Sequence, residues 1–396
     1  MKFIKDMLIN ILSQGLFIAV QQLFLFPNFE QSLGQVEFGR FLIIYGYFNV
    51  LVITLNASFT NLYQKKFNTF DQELENKSAL YTYYKKLLLY ITLVSVMFSV
   101  SIWVFHIDEI EYLLIYLLVL FTSSRMFLLV FYRVKKEFMK ILYVNLVLSS
   151  MYILLYFLPI ESVKEVLLCF VVIEFLINVV TYLLVKVNVV ALFKTQNYYF
   201  EASSLTFLLI SGCAGSLMNY SDRFITSFLL GASSVSIFYI ATLPTKLMLF
   251  PFTMISSVIL SYIADTEKIT KRIKKRVLML MPFVSVVVFV ISYFVGYILI
   301  YLLYENYLEA VKPIYLFVTI TFGLICADYI IRSFLVKYYS LKRKAMIDIL
   351  TLIFFVVLSM ILSIFSHSLV MIAVAQLVTY SIKLSVQLYI FSKLKV

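Results

Sequence analysis

Charge is what this sequence has least of. Only 14% of its 396 residues are Asp, Glu, Lys or Arg, against 63% apolar residues. A soluble core of that balance would leave too little polar surface to cover it. Cysteine is limited to Cys169, Cys213 and Cys326, one in each of three apolar stretches. That excludes a disulfide framework and a zinc site, and leaves them as small buried apolar residues. His106 and His367 stand far apart, so no metal-ligand cluster is expected and no cofactor either. No G-x-x-x-x-G-K-[ST] motif occurs, which excludes a phosphate-loop ATP site in this chain. There is no Ser- or Pro-rich linker and no polar stretch long enough for a soluble domain. Nucleotide-driven transport and a large extracellular catalytic module are both disfavoured.

What is present is apolar sequence in repeated runs of about twenty residues, each long enough to cross a bilayer core at about 1.5 Å per residue. About twelve such spans are expected, near residues 4–26, 40–62, 86–106, 111–132, 139–158, 164–186, 203–229, 235–263, 277–303, 312–336, 347–366 and 370–392. Lys2 and Lys5 before the first run resemble a secretory signal. The run ends Leu23-Phe24-Leu25-Phe26-Pro27, without a small-x-small cleavage site, so it is expected to stay as the first span. The fold class is an all-α polytopic membrane protein.

The net charge of +12 is distributed as a topology signal. Lys65, Lys66, Lys77, Lys85 and Lys86 follow the second span, and Arg133, Lys135, Lys136 and Lys140 the fourth. Lys186 and Lys194 follow the sixth, Lys268 through Arg276 the eighth, and Lys337, Lys342, Arg343 and Lys344 the tenth. Alternate loops hold few cations (Arg40, Lys164, Arg223, Lys312) and carry Asp108, Glu109, Glu111, Glu161, Glu165, Glu305 and Glu309. Positive loops stay in the cytoplasm, so both termini are expected inside. This pattern argues against a nucleic-acid partner. Contact with anionic membrane lipids is a secondary expectation.

The chain also reads as a duplication, with halves 1–198 and 199–396. Leu33-Gly34 precedes span two and Leu230-Gly231 precedes span eight, half a chain length apart, each followed by a Phe and then a polar interruption in mid-span. Six spans per half imply parallel repeats about an axis normal to the membrane. In span eight, Pro244 and Pro251 bracket Lys246; span two carries Gly46 and Asn49 at the matching place. Weakened helices at corresponding positions point to a transporter's central site, although Pro and Gly also serve ordinary packing in membrane helices.

Six ionisable residues lie in the middle or inner half of apolar spans: Arg125, Glu174, Lys246, Asp328, Arg332 and Lys383. A charge at mid-membrane costs on the order of 3 kcal/mol on insertion scales, so such residues face a cavity or a partner. Four of the six are basic, which suits an anionic guest. Asp328 and Arg332 are four apart and can pair along one helix face, with Arg332 near enough to the inner surface to snorkel. Glu174 has no partner on its own helix, which makes it a candidate for proton or sodium coupling. Polar stripes mark further sheltered faces: Asn49, Asn56 and Thr60; Ser211, Gly215 and Asp222; Gln376, Tyr380, Lys383 and Gln387. Interhelical hydrogen bonding is the simpler account of their uncharged members. The abundance of Phe and Tyr reads as compositional bias and interface placement, not as sugar stacking.

Asn219-Tyr220-Ser221-Asp222-Arg223-Phe224-Ile225, then Leu229-Leu230-Gly231 and Phe238-Tyr239-Ile240-Ala241, resemble the span seven to eight region of Wzx-type polysaccharide flippases, within the multidrug/oligosaccharidyl-lipid/polysaccharide exporter superfamily. Leu33-Gly34 through Phe38-Gly39-Arg40-Phe41 resembles the matching loop of the first half. The resemblance implies two six-helix bundles forming a V around a central cavity. It implies a bacterial cytoplasmic (inner) membrane location and no catalytic residues. The substrate would be an undecaprenyl-pyrophosphate type of lipid-linked oligosaccharide, flipped for O-antigen or capsule synthesis beside a polymerase and a chain-length regulator. Lys246, Arg125, Arg223, Lys383, Arg332 and Asn49 would then contact pyrophosphate or acidic sugar. Glu174, Asp222 and Asp328 would couple ions or gate. Two rivals remain: a membrane polysaccharide polymerase of the same pathway, which usually has a larger outer loop, and a multidrug exporter of the same superfamily, which would favour cationic drugs.

Overall fold

Apolar runs of this length fold as helices in a membrane because every backbone amide must find its partner within the segment. The computed structural model describes residues 2–67, 73–98, 107–187, 200, 202–263 and 269–394, and among these it contains helices and no strand. In order, they are α1 (Lys2–Ala19), α2 (Phe26–Phe67), α3 (Glu73–Phe98), α4 (Glu109–Leu128) and the short α5 (Val130–Val134). Then follow α6 (Phe138–Leu154), α7 (Val163–Val185), α8 (Ala202–Leu230) and α9 (Ala232–Ile263). The last four are α10 (Lys271–Leu303), α11 (Leu308–Tyr338), α12 (Leu341–Phe365) and α13 (Leu369–Lys393). Each expected span falls on helical segments, the third only in part. Among the described residues, ten stretches have the length and hydropathy to cross a membrane; one of them, Ile11–Gln64, holds the second expected span and residues 11–26 of the first. The third expected span is partly represented by α3, its remainder lying outside the described residues with His106. Lys194, Lys268 and Lys395 also lie outside them.

The chain forms two compact units, one of residues 1–37 and 44–216, the other of 38–43 and 217–396. Helices α2 and α8 therefore contribute to both. Two glycines make turns, one within α2 and one between α8 and α9. Gly34, inside α2, has φ 73° and ψ 170°, and Gly231, between α8 and α9, has φ 84°. Both angles are left-handed, where an L side chain is disfavoured. The Leu-Gly pairs legible in the sequence are thus backbone turns in both places.

In the first unit, α1 packs on α6 and α4 on α7. Between α1 and α2 runs a π-helical turn, Val20–Leu25, with one residue more per turn than an α-helix. There the buried Gln21 accepts a hydrogen bond from Tyr45 Oη at 2.8 Å. Aromatic rings fill the surrounding core: Phe170 lies 5.0 Å from Tyr152, 6.0 Å from Phe29 and 6.4 Å from Tyr45, edge-on or tilted. The abundant aromatics are therefore packing material here.

In the second unit, α11 is the central helix, packed against α9, α10 and α13. Its span is 72% buried, whereas those of α12 and α10 are 17% and 22% buried. A helix apolar on all sides is core, and one that leaves an apolar face uncovered in a membrane protein turns it to lipid. Ile331, Phe334 and Leu335 of α11 meet Leu384 and Phe391 of α13 and Met281 of α10 in one core cluster. Pro244 and Pro251 lie inside an unbroken α9. What they remove is one amide donor each, and the helix absorbs the loss without interruption. Gly46 likewise lies within continuous helix; the break in α2 comes earlier, at Gly34.

Candidate functional site

The six ionisable residues expected in mid-span fall into three groups, one in the first unit and two in the second. In the first unit, α4 carries Thr122-Ser123-Ser124-Arg125, four consecutive polar residues that are all buried. Arg125 Nε donates to Glu174 Oε2 at 2.8 Å and Arg125 Nη2 to Glu174 Oε1 at 2.9 Å, from α4 to α7. Both oxygens of the carboxylate are held by the planar fork, a geometry that lysine cannot reproduce. The side chains are 6% and 3% exposed, so the two opposite charges balance each other within the protein interior. Glu174, without a partner on its own helix, has one on α4. The same α4 segment is tied further: Asn56 Nδ2 donates to Ser123 Oγ at 3.1 Å, Tyr84 Oη and Ser124 Oγ are 2.8 Å apart, and Asn178 Nδ2 donates to the Phe121 carbonyl at 2.7 Å. Beside it, a cavity of about 420 Å³ is lined by residues including Tyr84, Tyr116, Ser124, Phe175, Asn178 and Tyr182. Asn49 donates to the Tyr45 carbonyl of its own helix at 2.7 Å.

The second group stands where α8 meets α9. Lys246 Nζ donates to Asp222 Oδ2 at 2.7 Å; the carboxylate is 4% exposed and the lysine side chain 23%. Arg223, buried beside them, has no carboxylate within 4.0 Å among the described residues. It donates from Nη1 to the Leu42 carbonyl at 3.0 Å, while its guanidinium carbon lies 5.1 Å from the ring centres of Tyr220 and of Tyr239. Its Nε is buried without an acceptor. Ring faces and a carbonyl stabilise a cation without neutralising it. Asp222 and Arg223, adjacent in sequence, thus use different partners.

The third group joins α11, α12 and α13. Lys383 Nζ is 3.1 Å from Asp328 Oδ2 and 3.4 Å from Asp348 Oδ1; Lys344 Nζ is 2.5 Å from Asp348 Oδ2. The spacing on α11 pointed to Asp328 with Arg332. The structure instead gives the Asp328 carboxylate to Lys383, because α13 packs on that face of α11 and brings the ammonium closer. Arg332 is half-buried and forms no ion pair within 4.0 Å among the described residues. Asp328 Oδ1 is buried without a hydrogen-bond partner. Lys344 and Asp348 were missed as site residues: they read as part of an inner loop and span end. Their i, i+4 spacing was the available signal.

The second unit therefore embeds five cations (Arg223, Lys246, Arg332, Lys344, Lys383) with three carboxylates (Asp222, Asp328, Asp348) in these two groups. In the first unit Arg125 is matched one to one.

Neither a protein-family model nor a curated protein sequence matches the chain. Solved structures do resemble it in fold. The eukaryotic MATE transporter AtDTX14 superposes with a TM-score of 0.66 at 12% identity, covering 100% of this chain and 97% of that one. The lipid II flippase MurJ, in an inward closed conformation, gives 0.62 at 14% identity, covering 92% and 84%. A MOP-superfamily transporter from Pyrococcus furiosus, described by a binding pocket of reverse polarity, gives 0.65 at 12% identity over 98% and 94%. At these identities the likeness concerns the fold. The chain is a multi-pass helical membrane protein that shares its fold with these structures.

Proposed function

We propose that this protein is a flippase for polyprenyl-pyrophosphate-linked oligosaccharides, carrying them from the cytoplasmic to the outer leaflet of a bacterial inner membrane by alternating access for surface-polysaccharide synthesis. The observation that carries the reading is the cation surplus of the second unit, five against three, in helices where each charge is costly. A pyrophosphate or acidic sugar would complete that balance, and a cationic drug would worsen it. Lys246, part-exposed beyond its contact with Asp222, is the first anion contact in this reading. Arg223, Arg332 and Lys383 follow, with Asn49 as a polar contact. Arg125, paired with Glu174, is a further proposed anion contact, and Glu174, Asp222 and Asp328 are the candidates for ion coupling or gating. The MurJ neighbour, named as a lipid II flippase, supports a lipid-linked substrate in general. No chemistry is assigned to the chain, and the halves 1–198 and 199–396 are read as a duplication. A polymerase and a chain-length regulator would act on the delivered units.

The test is to disrupt the gene in its own host and locate the lipid-linked repeat unit by leaflet. Units held on the cytoplasmic side with no surface polymer are expected. Single unpolymerised units displayed outside would favour a polymerase. A multidrug exporter is the second reading, favoured by the equally good superposition on a MATE transporter. It predicts normal surface polymer and raised accumulation of cationic dyes in the disrupted strain.

A further inference from the structure

The exposed face of α10 is apolar for most of its length and then abruptly basic. Met279, Phe283, Val286, Val290 and Phe294 follow one another at steps of three or four residues and are 42–68% exposed. Exposure continues through Ile298 to Leu302. From Met279 to Leu302 the stripe is about 34 Å long at 1.5 Å per residue, enough to cross the hydrocarbon layer. The opposite stripe, Val277, Met281, Val288, Ser292, Gly296 and Ile300, is buried against the rest of the unit.

Continued toward the start of the helix by the same steps, the lipid-facing stripe arrives at Arg276 and then Arg272. Both are exposed, as are Lys271 and Lys275 beside them. Among the described residues none of these four has an ion-pair partner, whereas Lys274, on the inner side, is used to hold the Leu394 carbonyl at 2.8 Å. The first turn of α10 contains no acidic residue. Cations at that end oppose the helix dipole, and among the described residues no carboxylate pairs with these four. The two arginines are about 6 Å apart along the axis, one turn beyond the last lipid-facing side chain. That is headgroup depth, and a guanidinium is suited to grip a phosphate in bidentate fashion.

We propose that Arg272 and Arg276, with Lys271 and Lys275, form a docking site for an anionic glycerophospholipid, its phosphate between the guanidinium groups and its acyl chains along Met279, Phe283 and Val286. Charge complementarity selects the headgroup, and the continuous apolar stripe selects a lipid over a free anion. A cluster that acted only as a topology signal would need the charges and not this alignment. The site is independent of the transport reading.

The test uses the full-length protein in detergent with equimolar phosphatidylglycerol and phosphatidylcholine, and counts retained lipids by native mass spectrometry. The wild type is expected to retain phosphatidylglycerol preferentially, and Arg272→Gln/Arg276→Gln to lose at least one such lipid, with affinity falling roughly fivefold per arginine. Should the double variant fail to fold, each single variant is expected to show its own share of the loss. Equal retention of the two lipids by the wild type, or an unchanged count in the variants, would overturn the proposal. So would displacement of phosphatidylglycerol by glycerol phosphate as readily as by a second lipid, since the apolar stripe would then contribute nothing.

Discussion

Arg125 and Glu174 lie 49 positions apart in sequence and meet through two hydrogen bonds, Nε to Oε2 and Nη2 to Oε1, in a region where both side chains are almost wholly buried. The pair fastens α4 to α7, beside the Asn178 contact with the Phe121 carbonyl. Its stabilisation is conditional. Two charges taken out of water are tolerated together, and either alone is not.

Removing one partner is therefore worse than removing both. Arg125→Met or Glu174→Leu alone is expected to cost about 3–5 kcal/mol, while the double substitution recovers most of that loss. Thermal unfolding of the purified variants in detergent measures both. Additive losses in the double variant would mean that the two residues act separately.

Lys383 holds two carboxylates, Asp328 from α11 and Asp348 from α12. Lys383→Met leaves Asp328 without its ammonium and should destabilise by about 3 kcal/mol or more. Asp348 keeps Lys344, so Lys383→Met/Asp328→Leu is expected to regain stability where Lys383→Met/Asp348→Leu, which strands Lys344, is not. Comparing the melting temperatures of the two double variants decides it.

Arg223 rests between two tyrosine rings and reaches the Leu42 carbonyl. Arg223→Lys keeps the charge but has no planar group to stack, and a loss of about 1–2 kcal/mol is expected. A double-mutant cycle with Tyr239→Leu should return a coupling of roughly 0.5–1 kcal/mol. A coupling of zero would remove the rings from the account.

Gly34 and Gly231 both have positive φ, and a Cβ at either would meet nothing within 4 Å. The cost of Gly34→Ala or Gly231→Ala is thus conformational and not steric, about 1–2 kcal/mol each. Gly34, at ψ 170°, lies outside the αL well that Asn tolerates, so Gly34→Asn should cost as much as Gly34→Ala. Equilibrium unfolding of the Ala variants at both sites and of Gly34→Asn measures this. A negligible loss at Gly34 for either residue would remove the conformational account.

Much of the architecture was legible from the chain itself. A run of some twenty apolar residues has one low-energy form in lipid, so the helices could be placed without tertiary information. The Leu-Gly pairs stood out as a repeat, and only the backbone angles showed that both are turns. The prolines misled in one respect: Pro244 and Pro251 pass through α9 without breaking it, as each removes only one hydrogen bond and the segment has no alternative to helix.

The charges divide differently. That Arg125, Glu174, Lys246, Asp328 and Lys383 need sheltering followed from hydropathy alone, since an ion in hydrocarbon is costly whatever its neighbours. Which ion shelters which did not follow. Spacing along α11 offered Arg332 to Asp328, worth a few tenths of a kcal/mol as an i, i+4 pair. The packing of α13 supplied Lys383 from 55 positions away, at 3.1 Å. Sequence sets the self-energy of each buried charge. Only the tertiary structure sets the distances between charges on different helices, and the pairing depends on those distances.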